Sequence, residues 1–220
     1  MRALLREADD LLRAEGRHAL GMLEFPWLRL ALLVIAGGFC FGASMGCFGG
    51  RGLQSVYSAA KMPFLISGAT LVCVPFFFVV NVLLGLAGDF PAAMRGVLSS
   101  QATVAICLAA MAPVTLFFYA SGADYPTALL LNGFLFALAS LGGQITLARH
   151  YRALIARDPQ HRVALAAWLI LYVFVSVKVG SILRPFVGDP TAPTQLFRAT
   201  AFEENPYASL YWSAYWILHK

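Results

Sequence analysis

Gly42-Ala43-Ser44-Met45-Gly46 matches G-x-S-x-G, the turn that presents a serine nucleophile in many hydrolases. That chemistry needs a strand–turn–helix and a base within reach. Here the match lies inside an apolar helical run and follows from a four-residue glycine spacing. An intramembrane serine protease would also want a histidine within a span, and His18, His150, His161 and His219 all fall outside the apolar runs. The same placement excludes a haem held by two membrane histidines of this chain. No Asp or Glu falls within a run, so no carboxylate proton relay is expected. His150 and His161 with Asp158 fit no tight zinc spacing and read as a solvated loop. The expectation is no catalytic residue, no metal site and no cofactor.

What remains is the chemistry of contact. Gly38, Gly42, Gly46 and Gly50 repeat every four residues, the spacing of a glycine zipper. Absent side chains let a second backbone come close, which drives association where lipid offers no hydrophobic push. Whether that backbone belongs to this chain or to another is open; Gly37 lies off the ridge, and Gly37→Leu is expected to disrupt assembly less than Gly42→Leu or Gly46→Leu. Lys178 is the one charge inside an apolar run, six residues before Arg184. Its stem reaches headgroup level by snorkelling, and Arg184 is placed for headgroup phosphates or an acidic partner. Asn81, Gln101, Asn132 and Gln144 either hydrogen-bond between helices or line a pore.

These residues sit in a chain that is 60% hydrophobic and 12% charged, far below the charged fraction of a soluble domain. No charge occurs between Arg29 and Arg51, Lys61 and Asp89, Arg95 and Asp124, or Asp124 and Arg149, and only Lys178 interrupts Arg162 to Arg184. Each gap holds roughly 20 or more residues, enough helix to cross a ~30 Å hydrocarbon core. The runs are apolar on every face, unlike the alternating strands of a membrane barrel. The predicted fold is an all-α polytopic bundle with five spans at 30–50, 63–87, 97–120, 126–148 and 163–183. Pro75 and Pro113 fall mid-span and are expected to kink their helices. Cys40, Cys47, Cys73 and Cys107 are read as small packing residues.

Three regions follow: an amphipathic helix at 1–24, a transmembrane domain at 25–186 and an interfacial tail at 187–220. Leu4, Leu5, Ala8, Leu11 and Leu12 form one stripe of the first, for the membrane surface or a partner. Its mixed charge argues against a cleaved signal peptide. In the tail, Asn205-Pro206 opens a short helix whose Tyr207, Tyr211, Tyr215, Trp212 and Trp216 suit the headgroup layer. The net charge of +5 is spread by topology, with no basic stripe for nucleic acid. The expected partners are the lipid bilayer and further membrane subunits or copies of the chain.

Leu183-Arg184-Pro185-Phe186-Val187-Gly188-Asp189-Pro190, with Phe197-Arg198, resembles a tail of uncharacterised bacterial multi-pass membrane proteins, and Tyr57-Ser58-Ala59-Ala60-Lys61-Met62-Pro63 resembles the same group. The resemblance covers two short patches and implies membrane residence without an activity.

The expected function is that of a non-catalytic subunit of a homo- or hetero-oligomeric membrane complex. The alternatives are an ion channel or small-solute transporter and, behind it, an intramembrane enzyme. Arg2, Arg6, Arg13, Arg17, Arg29, Arg95, Arg149, Arg152, Arg157 and Arg162 fall on the side of the N-terminus, against Arg51, Lys61, Arg184, Arg198 and Lys220 on the other. That asymmetry predicts a cytoplasmic N-terminus and an external C-terminus, in a bacterial inner membrane. Cysteines placed at Ala123 and Ser209 should therefore label in intact cells; labelling only after lysis reverses the orientation.

Overall fold

The computed structural model describes Arg6, Ala8, Asp9, Leu11, residues 26–189 and residues 193–197. Most of the expected N-terminal amphipathic helix, and all of the expected C-terminal interfacial helix, lie outside the described residues. Five long helices account for the rest: α1 (Trp27–Gly46), α2 (Gly52–Leu83), α3 (Phe90–Ala120), α4 (Tyr125–Arg157) and α5 (His161–Ile182). The described residues contain no strand, and each helix is long and apolar enough to cross a membrane. Helices satisfy every backbone donor and acceptor within the segment, which lipid requires. Leu83 is 80% exposed, and Leu28, Phe64 and Leu71 are nearly as bare, an apolar surface suited to lipid and not to water.

The helices run further than the charge-free gaps. α2 begins at Gly52 and passes unbroken through Pro63 and Pro75, and α3 begins at Phe90 and passes through Pro113. α4 continues to Arg157, so the expected loop 149–162 shrinks to Asp158–Gln160. Charge marks where side chains leave hydrocarbon, whereas a helix ends only where its backbone finds a cap or a breaker. Asp124 caps α4, accepting from the Thr127 N–H at 3.1 Å, and the Thr127 side chain together with this N–H holds its carboxyl below the usual range. Gly85 and Gly122, at φ of 73° and 82°, turn the chain where side chains would strain it.

α1 packs along both α2 and α3; α3 continues to α4, and α2 to α5. The lateral order is α4–α3–α1–α2–α5, and α5 returns to α4 with fewer contacts. One apolar cluster gathers Phe41, Met45, Ile66, Leu108 and Leu135, and takes in Leu11 of the N-terminal segment. A second, around Phe77, Leu147, Tyr151 and Trp168, joins α2, α4 and α5 at the opposite end. Phe77 meets Trp168 edge-on at 4.9 Å, and Trp168 stacks on Tyr172 at 5.7 Å.

The glycines set the α1 contacts. A Cβ at Gly42 would lie 2.3 Å from the Ser58 carbonyl oxygen, one at Gly46 2.5 Å from the Ser55 Cα, and one at Gly38 3.0 Å from the Pro63 nitrogen. All three face α2 of the same chain. Gly50 stands apart from them: it lies in the 3₁₀ turn Phe48–Gly50 at φ 71°, with open space where a Cβ would be. Gly37, expected to matter less, is as tightly placed, because its Cβ would lie 2.4 Å from the Ala105 carbonyl oxygen of α3. Adjacent glycines lie about 100° apart around a helix, so α1 presents bare backbone to two neighbours at once. Gly42→Leu and Gly37→Leu should each destabilise the detergent-solubilised protein by about 1–3 kcal/mol or more. Gly133→Leu, which meets open space, should leave the unfolding midpoint in place. Equal midpoints for the three variants would show that the close contacts do not set stability.

Candidate functional site

Beyond α5 the chain turns and runs back across the first turns of α2. Gln54, Ser58 and Lys61 stand at i, i+4 and i+7 on one α2 face, all within 2% of full burial. Lys61 Nζ donates to the Pro185 carbonyl at 2.9 Å. Gln54 Nε2 donates to Pro185 at 3.0 Å, to Phe186 at 3.2 Å and to Ser58 Oγ at 3.2 Å. Ser58 Oγ donates to the Phe186 carbonyl. The Lys61 ammonium also lies 6.0 Å from the Phe186 ring centroid and 5.5 Å from that of Phe197. The segment from Arg184 to Asp189 is thus a strap held by donors aimed at carbonyls. α1 grips the same stretch of α2 through Gly42 and Gly46, and Ser55 Oγ donates to the Ala43 carbonyl at 2.7 Å.

Lys61, expected in an external loop, is therefore a buried cation within a helix. In the sequence a charge looks like a helix boundary, but this one is satisfied by a carbonyl and two aromatic faces. The signal in the sequence is the polar stripe at 54, 58 and 61, legible once α2 starts at Gly52. The segments 57–63 and 183–189, far apart in sequence, meet in this clasp. Lys178 is partly buried on α5 and Arg184 is exposed where the strap begins.

Two polar contacts cross the interior. Asn132 donates to Tyr119 Oη at 2.8 Å and accepts from Thr115 Oγ1 at 3.1 Å, and Tyr119 donates to the Met45 carbonyl at 3.1 Å. This ties α4 to α3 and α3 to α1. Gln101 Oε1 accepts from Tyr172 Oη at 2.8 Å, tying α3 to α5. Asn81 donates to Phe77 of its own helix at 2.8 Å. Among the described residues, Asn81 Oδ1, Gln101 Nε2 and Gln144 Oε1 have no partner. Ser44 Oγ donates to the Cys40 carbonyl one turn back at 3.0 Å, an ordinary intrahelical bond.

At the far end, His161 opens α5 fully buried, its Nε2 3.1 Å from Asp89 Oδ2 in the 3₁₀ turn Ala87–Asp89. Arg157 approaches the other carboxylate oxygen at 4.0 Å. His150 is buried too, its Nδ1 2.9 Å from the Thr146 carbonyl. The expected solvated loop is corrected here: both histidines are packed, and His161 meets Asp89 instead of Asp158. Among the described residues, no group of three His, Cys, Asp or Glu side chains is placed to hold a metal ion.

Removing the Lys61 charge should release the strap. A charged hydrogen bond contributes about 1.5–3 kcal/mol, which is roughly ten- to a hundredfold in the opening equilibrium. Val187, within the strap, is 2% exposed. A cysteine at Val187 should label slowly in the parent protein, roughly ten- to a hundredfold faster with Lys61→Met, and unchanged with Lys178→Met. Equal rates in all three would show that Lys61 does not hold the strap.

Comparison with known proteins places the chain with none of them: no family model, no curated protein and no solved structure matches it.

Proposed function

We propose that the chain is a non-catalytic integral membrane protein, a subunit of a homo- or hetero-oligomeric complex that acts through helix packing. The reading includes residence in a bacterial inner membrane, with the N-terminus cytoplasmic and the C-terminus outside. The observation that carries it is the pairing of interior polar groups between helices. Gln101 meets Tyr172, and Asn132 meets Thr115 and Tyr119, so these side chains fix helices against one another. A scaffold so fixed offers its exterior to partners, and α5, least embraced by its neighbours, offers the most. The serine of the G-x-S-x-G match is committed to its own helix, which also favours a role without catalysis.

A transporter is the second reading, favoured by the unpartnered Asn81 Oδ1, Gln101 Nε2 and Gln144 Oε1 among the described residues. One preparation separates the two. Tagged protein extracted with a polymer belt from its native membrane should run as a particle larger than one chain, with extra copies or co-purifying chains in fixed ratio. A monomeric particle whose reconstituted vesicles pass ions or a solute, with flux altered by Gln101→Leu, would replace the subunit by the transporter.

A further inference from the structure

α4 contains no Asp or Glu, and its only charged residues are Arg149, Arg152 and Arg157 near its end. Arg157 turns toward Asp89 at 4.0 Å. Arg149 and Arg152 are exposed, and neither has a hydrogen bond or an ion pair among the described residues. Residues three apart share a helix face, with Cβ atoms ~5–6 Å from each other. His150 and Tyr151, which lie between them in sequence, are buried in the bundle. The two guanidinium groups therefore stand together on the outer face, with no counter-charge from their own helix.

The same face continues along α4 as Ile145, Leu141 and Leu138, which are 54%, 59% and 38% exposed. Steps of three and four residues keep positions 138, 141, 145, 149 and 152 on one stripe. From Leu138 to Arg149 the helix rises ~16 Å, about one leaflet of a ~30 Å hydrocarbon core. From the Asp124 cap to Arg149 it rises ~37 Å, enough to cross the core and enter the far headgroup layer. Two cations thus stand at phosphate depth above an apolar stripe of acyl-chain length. A guanidinium grips phosphate through paired N–H donors. A headgroup that also carries an ammonium brings a charge these arginines repel, so the stripe favours a headgroup that is anionic overall.

We propose that this stripe of α4 binds one anionic phospholipid, its phosphate held between Arg149 and Arg152 and an acyl chain lying along Ile145, Leu141 and Leu138. The inference needs α4 to span a bilayer and is independent of the subunit reading. Arg162 supplies the contrast: it is exposed in the first turn of α5, but no second basic residue stands three or four positions from it in that helix. A lone cation of that kind attracts a leaflet without selecting a lipid.

The test uses the full-length purified protein with phosphatidylglycerol, phosphatidylethanolamine and phosphatidylcholine of identical acyl chains, read by native mass spectrometry. Phosphatidylglycerol should be retained most tightly, as one lipid per chain. Arg149→Gln and Arg152→Gln should each weaken that retention by roughly fivefold, and together by roughly twentyfold, the effect of a basic residue at a headgroup surface. Arg162→Gln should leave it unchanged. Lysine at both positions, which keeps the charge, should restore most of it. The arginines are exposed, so the lipid-free thermal midpoint of the double variant should match the parent and separate lost binding from lost fold. Water-soluble glycerol phosphate should compete only at far higher concentration, because it lacks the acyl contact. Displacement at equal concentration would overturn the lipid assignment in favour of a free phosphate. Equal retention of the three lipids would overturn the proposal, as would a phosphatidylglycerol preference that survives the double substitution. So would loss of a co-purifying chain from the double variant with lipid retention unchanged, which would give these arginines to an acidic protein partner.

Discussion

A Cβ at position 42 would sit 2.3 Å from a carbonyl oxygen of α2, so α1 and α2 can lie as they do only while that position carries no side chain. The contact is van der Waals attraction between backbones, the main force for helix association in a solvent as apolar as the helices. α3 uses the same device on the adjacent face of α1 at Gly37, and α4 meets α3 across Gly143, where a Cβ would lie 2.4 Å from Val104 Cγ2. With α1 seated between α2 and α3 and meeting α2 at Ser55, Ala59 and Met62, the adjoining α2 face is left to the side chains of Gln54, Ser58 and Lys61. The strap clasp is therefore downstream of the glycine contacts: move α1, and the donors that hold Pro185 and Phe186 move too.

The polar interior obeys a stricter rule than that of a soluble bundle. An unpaired side chain in hydrocarbon costs more than a paired one returns, so polar groups persist where they lock a particular pair of helices. Asn132 and Tyr119 lock α4, α3 and α1 at the strap end, and Gln101 with Tyr172 locks α3 to α5. His161 with Asp89 holds the start of α5 to the turn between α2 and α3. α5, lightly packed on α4, is thus fastened near both ends and once within.

The number and class of the helices are legible in the sequence because a chain folded in water rarely keeps charge out of stretches of membrane length. The helix ends are not, since a charged residue near a gap looks the same in a loop and in a helix. Lys61 shows the difficulty: its acceptor, the Pro185 carbonyl, lies 124 positions away, and no local pattern announces such a pairing. Gly38, Gly42 and Gly46 are readable as a ridge from their spacing. Gly37 is not, because a second ridge one residue over becomes visible only when a second neighbour is in place. Gly50 continues the spacing but not the helix, because the chain has already turned. Gln101 and Asn132 stand out as polar residues in apolar runs, but their tyrosine partners do not, since tyrosine is unremarkable in any span.

The 124-residue separation between Lys61 and its carbonyl acceptor also has a meaning in time. A chain made from its N-terminus at ~5–20 residues per second presents Lys61 roughly 6–25 s before Pro185 exists. During that interval α2 carries a cation whose intended acceptor has not been synthesised. Until then headgroups and water are the partners open to the ammonium. The bond that satisfies Lys61 in the folded chain is therefore one that cannot form until residue 185 has been made, which puts it among the late contacts of the bundle.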